Sequence, residues 1–286
     1  MMLRYTYLII ALLNFCACVI SRDSTSAAFA KTPRIPLAFD QDTLILDVND
    51  TLLLDAIGQL YHWASDDRLE KVVSVNQLGP SDSTAFYYQN PRLGELKSVD
   101  LTNPIRPLLF FQDAQTVIWL NRNLSEWRRV NLLDLGFAAI DAVAYAPNEG
   151  LWLFDSDAQR LLQLDLNGKL LYQSAELNQV FNQAIRAEQL VANTQQLAMR
   201  TQNNRLLLFG PFAAYRSEIL QGGTSLHLSK DRLLFYENAD WWQYAGANLP
   251  IEPVLSIPRK ELVSLRSKFA LYKQKNRYWR ERSTTE

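Results

Sequence analysis

The feature that most limits what this chain can become is a recurring pair of short apolar runs around a polar turn. Residues 51–55 and 60–63 flank Ala56-Ile57-Gly58-Gln59, and residues 107–111 and 116–120 flank Gln112-Asp113-Ala114-Gln115. Residues 151–154 and 160–165 flank a turn through Asp155 and Asp157, and residues 197–200 and 205–209 flank Thr201-Gln202-Asn203-Asn204. Two more pairs follow, 232–236 with 241–244 and 268–272 with 277–280. The runs are rich in Val, Ile, Leu and aromatic residues, so each pair predicts a β-hairpin. Hairpins recurring roughly every 40–50 residues predict the four-stranded blades of a propeller. Inner strands are expected at 96–101, 140–145 and 225–229. Outer strands are expected at 126–130, at 169–173 after Asn167-Gly168, a dipeptide suited to a two-residue hairpin, and at 251–256. Helical periodicity is confined to 175–191, where Leu177, Val180, Phe181, Ala184 and Ile185 predict one short helix on a connection.

The sixth hairpin leaves no outer strand behind it, and residues 34–39 can supply one. The expected fold is therefore all-β: a six-bladed β-propeller whose ring is closed by an N-terminal strand joining the C-terminal blade, which removes an exposed sheet edge. A pair of β-sandwiches is the alternative, although nothing divides the hairpins into two blocks of different composition.

The first thirty residues read as an address. Arg4 precedes a nearly unbroken apolar run over residues 8–20, too short for a spanning helix of about 20 residues. A basic start followed by a short apolar stretch predicts an export signal. Phe15-Cys16-Ala17-Cys18 is similar to a bacterial lipobox, with Phe15 where Leu is usual, and predicts acylation of Cys18. Ala28-Phe29-Ala30 offers a competing cleavage site. The expected division is a lipoprotein-type signal over 1–17, a polar tether over 18–32 and a propeller over 33–286. Cys16 and Cys18 are the chain's 2 cysteines, so the exported domain carries no disulfide and rests on its core alone.

Composition narrows function. With 29 Lys+Arg against 30 Asp+Glu the formal net charge is −1, which argues against a nucleic-acid partner. Only 2 His are present. His62 and His227 each sit within a predicted strand, in neither case in metal-ligand spacing, and there is no Gly-x-Ser-x-Gly elbow. Asp113, Asp155, Asp157, Asp165 and Asp240 recur at turn corners. They read either as a Ca²⁺ or channel carboxylate set or as residues that cap turns through their own backbone; no DxDxDG loop supports the former. No cofactor and no metal site is expected.

Three features suit contacts. The segment from Asp100 to Pro107 places Pro104 and Pro107 around Arg106 and predicts a stiff loop presenting Asn103 and Arg106, or a stiff connection in which Asp100 holds Thr102. A polar insertion, 77–87, ends on Phe86, Tyr87 and Tyr88, which suit either an aromatic contact loop of the kind enriched at interfaces or a segment folded back under the blade. Residues 259–286 carry nine Lys or Arg against three Glu, which suits a basic face or a charged, protected strand edge. Trp63, Trp119, Trp241, Trp242 and Trp279 fall on the same strand of their predicted units, which favours packing between blades.

The stretch Tyr88-Gln89-Asn90-Pro91-Arg92-Leu93-Gly94-Glu95-Leu96-Lys97-Ser98-Val99-Asp100-Leu101-Thr102-Asn103-Pro104-Ile105-Arg106-Pro107, running on to Leu108-Leu109-Phe110-Phe111-Gln112-Asp113, resembles an uncharacterised six-bladed β-propeller lipoprotein family of Bacteroidota cell envelopes, of the TolB-like class. Leu151-Trp152-Leu153-Phe154-Asp155 and Leu164-Asp165-Leu166-Asn167-Gly168 are similar to its next blade. The resemblance implies a fold and a compartment, the outer membrane with the domain facing the periplasm, and carries no activity onto particular residues. The expected function is a non-catalytic, membrane-anchored scaffold or interaction subunit of a cell-envelope complex, its partners a membrane, through the lipid, and envelope proteins. A propeller hydrolase or lyase acting on a glycan or lactone with a divalent ion in the channel, and a soluble peptide- or glycan-binding module, are the alternatives.

Overall fold

A strand buried on both faces needs apolar residues at every position, and the long runs of this chain read that way. Every residue of Leu108–Phe111, Thr116–Leu120 and Leu151–Asp155 is buried. The computed structural model describes residues 35–36, 51–72, 86–147, 150–219, 223, 225–228, 232–237, 240–244, 252–253, 262–266, 269–274 and 277–282.

The chain is an all-β β-propeller. Blades 1 to 5, spanning 51–88, 98–131, 140–173, 187–219 and 225–253, are each built from four consecutive antiparallel strands, innermost first. Leu262–Arg266, Phe269–Gln274 and Arg277–Arg282 then pair in order, with Ile35–Pro36 hydrogen-bonded beside Arg277–Arg282. Among the described residues no helix is long and apolar enough to cross a membrane.

The core lies in slabs between blades. Successive side chains of a strand point to opposite faces, so each blade feeds two slabs. Phe110, Val117 and Trp119 of blade 2 meet Val143, Leu153 and Leu162 of blade 3. Leu109, Phe111 and Ile118 turn the other way, toward Tyr61, Leu69 and Tyr88 of blade 1. Trp152, Phe154 and Leu161 of blade 3 pack with Met199, Leu207 and Phe209 of blade 4, and Leu206 and Leu208 continue toward Leu233 and Phe235 of blade 5. Burying a Leu- or Phe-sized side chain is worth about 1.5–3 kcal/mol, and here that gain requires two blades to be in place.

Polar groups lock the slabs. The turn between the second and third strands of blade 2 carries Gln115 at φ 45°, and that of blade 3 carries Gln159 at φ 53°. Gln115 Nε2 donates to the carbonyls of Gln112 (2.8 Å) and Ile140 (3.1 Å), while its Oε1 accepts from the Ile140 amide (2.9 Å). Gln159 repeats the pattern with Ser156 (2.7 Å) and with the carbonyl (2.9 Å) and amide (2.6 Å) of Ile185. Ile140 opens the inner strand of blade 3, and Ile185 lies just before that of blade 4, so each glutamine pins the next blade. Asp-Ala precedes both, Asp113-Ala114 and Asp157-Ala158.

Several expectations need correcting. Thr51–Leu54 and Leu60–Trp63 are the first and second strands of blade 1, whereas the other predicted hairpins are second and third strands. The true equivalent in blade 1 is Leu60–Trp63 with Leu69–Lys71. The Asp55 side chain accepts from the Ile57 and Gln59 amides and makes the first turn the stronger local signal. Trp63 therefore lies on a second strand, whereas Trp119, Trp241, Trp242 and Trp279 lie on third strands. The helical stretch shrinks to α1 (Leu177–Phe181), ended by left-handed Asn182. Ala187–Ala192, the inner strand of blade 4, begins where the helix had been extended. Asn167-Gly168 is not a two-residue hairpin, because the Asp165 side chain accepts from the Asn167 and Lys169 amides and closes a longer loop.

Gln115→Ala and Gln159→Ala each leave a buried amide of the next blade without its partner. Each is expected to cost about 1–3 kcal/mol, read as a lower urea midpoint with an unchanged slope.

Candidate interaction site

Strands that alternate in direction place the first-to-second and third-to-fourth connections at one end of the propeller. In blade 2 that end carries the proline-bounded loop between Ser98–Asp100 and Leu108–Phe111. Asp100 Oδ1 accepts from the Thr102 amide at 2.8 Å, the predicted local cap, and Oδ2 reaches across to the Tyr145 amide of blade 3, also at 2.8 Å. Asn103 is tied to the same residue, its Nδ2 donating to the Tyr145 hydroxyl at 2.8 Å while its Oδ1 accepts from the Ile105 amide at 3.0 Å. The loop is thus stapled to the neighbouring blade, and Asn103 works as the staple.

Arg106 emerges from that platform. Its guanidinium sits 4.2 Å from the centre of the Trp127 ring, and one terminal nitrogen donates to the Ile105 carbonyl at 3.2 Å. Trp127, on the outer strand Glu126–Asn131, is 41% exposed, and Ile105 is 44% exposed. A cation over an indole face is held electrostatically by about 0.5–2 kcal/mol. The stack fixes Arg106 against an indole that stays exposed.

The aromatic trio divides. Tyr87–Tyr88 is the outer strand of blade 1, paired with Leu69 and Glu70, so these residues belong to a strand and not to a loop tip. Tyr87 is 58% exposed and Phe86 38%. Tyr88 is buried, and its hydroxyl donates to Glu126 Oε1 of blade 2 at 2.7 Å. Burial, and then the Glu126 carboxylate, push the Tyr88 phenol up to about 12. Partial burial works against ionisation of Glu126, but bonds from Arg129 and Tyr88 outweigh it and hold the carboxyl below its ordinary value. Tyr88 therefore clamps blade 1 to blade 2, whereas Tyr87, its neighbour in the strand, turns to the opposite face. The rest of the insertion, through residue 85, lies outside the described residues.

The other candidates stay apart. His62, in blade 1, has Nδ1 3.3 Å from Glu70 Oε2, and Glu70 Oε1 lies 3.1 Å from Arg68, a polar chain within one blade. His227 lies on the inner strand of blade 5, paired with Leu234, so the two histidines sit on different blades. Asp155 and Asp165 cap their turns through backbone amides. Among the described residues no group of three or more His, Cys, Asp or Glu is placed to hold a metal. Cys18, the signal, the tether and the side chains of the basic C-terminal segment lie outside the described residues. Trp127 and Tyr145 were missed by sequence reasoning. A lone Trp within Glu126-Trp127-Arg128-Arg129, on a predicted outer strand, was the available signal for the first, and nothing local marks the second.

No family model matches the chain, and no curated protein matches it. Solved structures do. Virginiamycin B lyase from Staphylococcus aureus is similar at 10% identity, with 82% of this chain and 80% of that one covered and a TM-score of 0.50. The β-propeller domain of Cps50 (Swd1) from Myceliophteria thermophila is similar at 11% identity, covering 85% and 99%, with a TM-score of 0.50. A chain of the mitotic checkpoint complex is similar at 8% identity, covering 84% and 76%, with a TM-score of 0.52. At such identities the likeness is one of fold, a propeller that occurs in a lyase and in a chain of the mitotic checkpoint complex alike.

Because the folded state holds the Glu126 carboxyl low, its bonds contribute stability above the ordinary glutamate range and lose it as pH falls through the folded value. The difference in melting temperature between wild type and Glu126→Gln should therefore narrow between pH 7 and about pH 3, followed by circular dichroism.

Proposed function

We propose that this chain is a non-catalytic β-propeller, held at a membrane by a lipid on Cys18, that serves as a scaffold or interaction subunit of a cell-envelope complex. The observation that carries the reading is the Arg106–Trp127 stack, with its exposed indole and the exposed Ile105, on a loop tied to the next blade. Arg, Trp and Tyr dominate interface hot spots because they bring large contact area at small entropic cost. A surface already stapled by Asn103, Asp100 and Tyr88 has little ordering left to lose on binding. The checkpoint complex lends the general point that this fold is used in an assembly; the envelope and the lipid rest on the N-terminal sequence and on the family resemblance.

The test joins both halves. Wild-type protein is expected to capture a stoichiometric partner from detergent-solubilised envelopes, and Arg106→Ala or Trp127→Ala to capture at least about tenfold less. Capture that survives both changes removes this face from the reading. Cys18→Ala is expected to leave the membrane fraction, and its retention there overturns the anchor.

The same reading includes a six-bladed ring closed by the N-terminal strand. Its support is the pairing of Ile35 with Arg280 and of Pro36 with Trp279, and the adjacency of Leu262–Arg266 to the inner strand of blade 1. Deleting residues 31–42 should lower the melting temperature by at least about 5 °C, the equivalent of one to two kcal/mol; unchanged melting refutes the closure.

A further inference from the structure

The outer strands of a propeller are free edges, and charged side chains on such strands keep sheets from associating edge to edge. Blades 2 and 4 follow that rule. Glu126–Asn131 carries Glu126, Arg128 and Arg129, and Tyr215–Ile219 carries Arg216 and Glu218. Blade 3 breaks it. Its outer strand, Leu170–Gln173, reads Leu-Leu-Tyr-Gln, holds no charge and is exposed at all four positions. It is the last strand of its sheet, paired on one side only, with Arg160–Leu164.

Apolar neighbours widen this strand into a patch. Gly168, in the turn before it, has φ 81°, and the Leu135 methyl carbons lie 2.8 Å from where a Cβ on Gly168 would stand. Leu135 therefore rests on the turn that opens the strand. Toward the other end the Tyr172 ring meets the Phe212 ring of blade 4 edge-on, with centroids 5.0 Å apart. Leu135, Leu170, Leu171, Tyr172 and Phe212 are each between 37% and 63% exposed. Together they leave roughly 400 Å² of apolar surface, in the range of the largest patch on a monomer, which is often functional.

Chemistry and size select the occupant. A bilayer would leave the unpaired backbone groups of the edge without partners in hydrocarbon. A charged partner would meet five side chains with no charge to answer it. A second copy of this chain brings the same uncharged face, and a twofold contact sets that face on itself and closes at two copies. Two such faces with their polar rims bury about 1,000 Å², the size a specific interface must clear. Leu171 is the extra residue where the ladder with Arg160–Leu164 shifts register. That bulge bends the edge, so the contact runs through side chains and not through an added strand. We infer that the protein dimerises through the outer edge of blade 3, with Leu171, Tyr172 and Phe212 at the centre of the contact. This face shares no residue with the Arg106–Trp127 stack, and the inference does not rest on that reading.

Size-exclusion chromatography with multi-angle light scattering tests it, on the full-length protein in mild detergent with the detergent mass subtracted. The mass of two chains is expected in the micromolar range, with Leu171→Asp and Phe212→Asp each weakening the dimer about tenfold or more. Ile57→Asp, at an exposed apolar residue of blade 1, is expected to leave the dimer unchanged. Circular dichroism checks that the variants fold; should Leu171→Asp or Phe212→Asp fail, Leu170→Asp replaces it. A dimer that persists in the folded edge variants, or one lost equally in Ile57→Asp, overturns the inference. So does the mass of one chain at every concentration: less detergent bound by Leu171→Asp would then assign the patch to lipid, and a second protein copurifying with wild type alone would assign it to a foreign partner.

Discussion

The glutamine clamps are the interaction on which the rest of this propeller depends. A blade is a small antiparallel sheet with apolar side chains on both faces, and alone it has no inside. It becomes stable when its neighbours arrive, and they must arrive in one register, because a one-residue slip would present the wrong face to each slab. Gln115 and Gln159 enforce that register by satisfying both backbone groups of a single residue in the next blade. Each holds a left-handed backbone that costs a non-glycine residue about 1–2 kcal/mol, a strain that persists because the surrounding bonds over-determine it.

The same economy shapes the surface. Asp100 and Asn103 reach Tyr145, and Tyr88 reaches Glu126, so the contacts that fix the exposed loops are also contacts between blades. The Arg106–Trp127 stack stands on this frame and inherits its rigidity. Rigidity is what a scaffold needs from its fold, since ordering cost falls when the binding surface is organised beforehand.

Much of the fold was legible because its signals are local. Five of the six predicted hairpins fall on second and third strands, since Val-, Leu- and aromatic-rich runs broken by Asp, Asn and Gln state strand and turn within a few residues. Blade 1 was read out of phase, because the cap made by Asp55 is a stronger turn signal than the Ala64–Arg68 turn that follows. The inner strand of blade 4 was absorbed into a helix, because Ala187–Ala192 continues an apolar pattern that period alone does not separate from α1. Of the site, the Asp100–Thr102 cap was legible and Arg106 was singled out. Between a contact loop and a segment folded under the blade the sequence does not choose for Tyr88, because its hydroxyl is spent on a residue 38 positions away.

By itself the sequence determined the all-β class, the repeat, the stiff loop around Arg106 and the export-like start, all of which depend on residues close together in the chain. Only the tertiary structure decided which strand is innermost, which glutamine pins which blade, and which of several ordinary charges and aromatics share a surface. Asp100, Asn103 and Tyr145 look like unrelated polar residues in sequence, and only the side-by-side packing of blades 2 and 3 brings them into one set of hydrogen bonds. Strand and turn propensity act over a few residues, whereas packing between blades joins positions some forty residues apart, and no local preference encodes that distance.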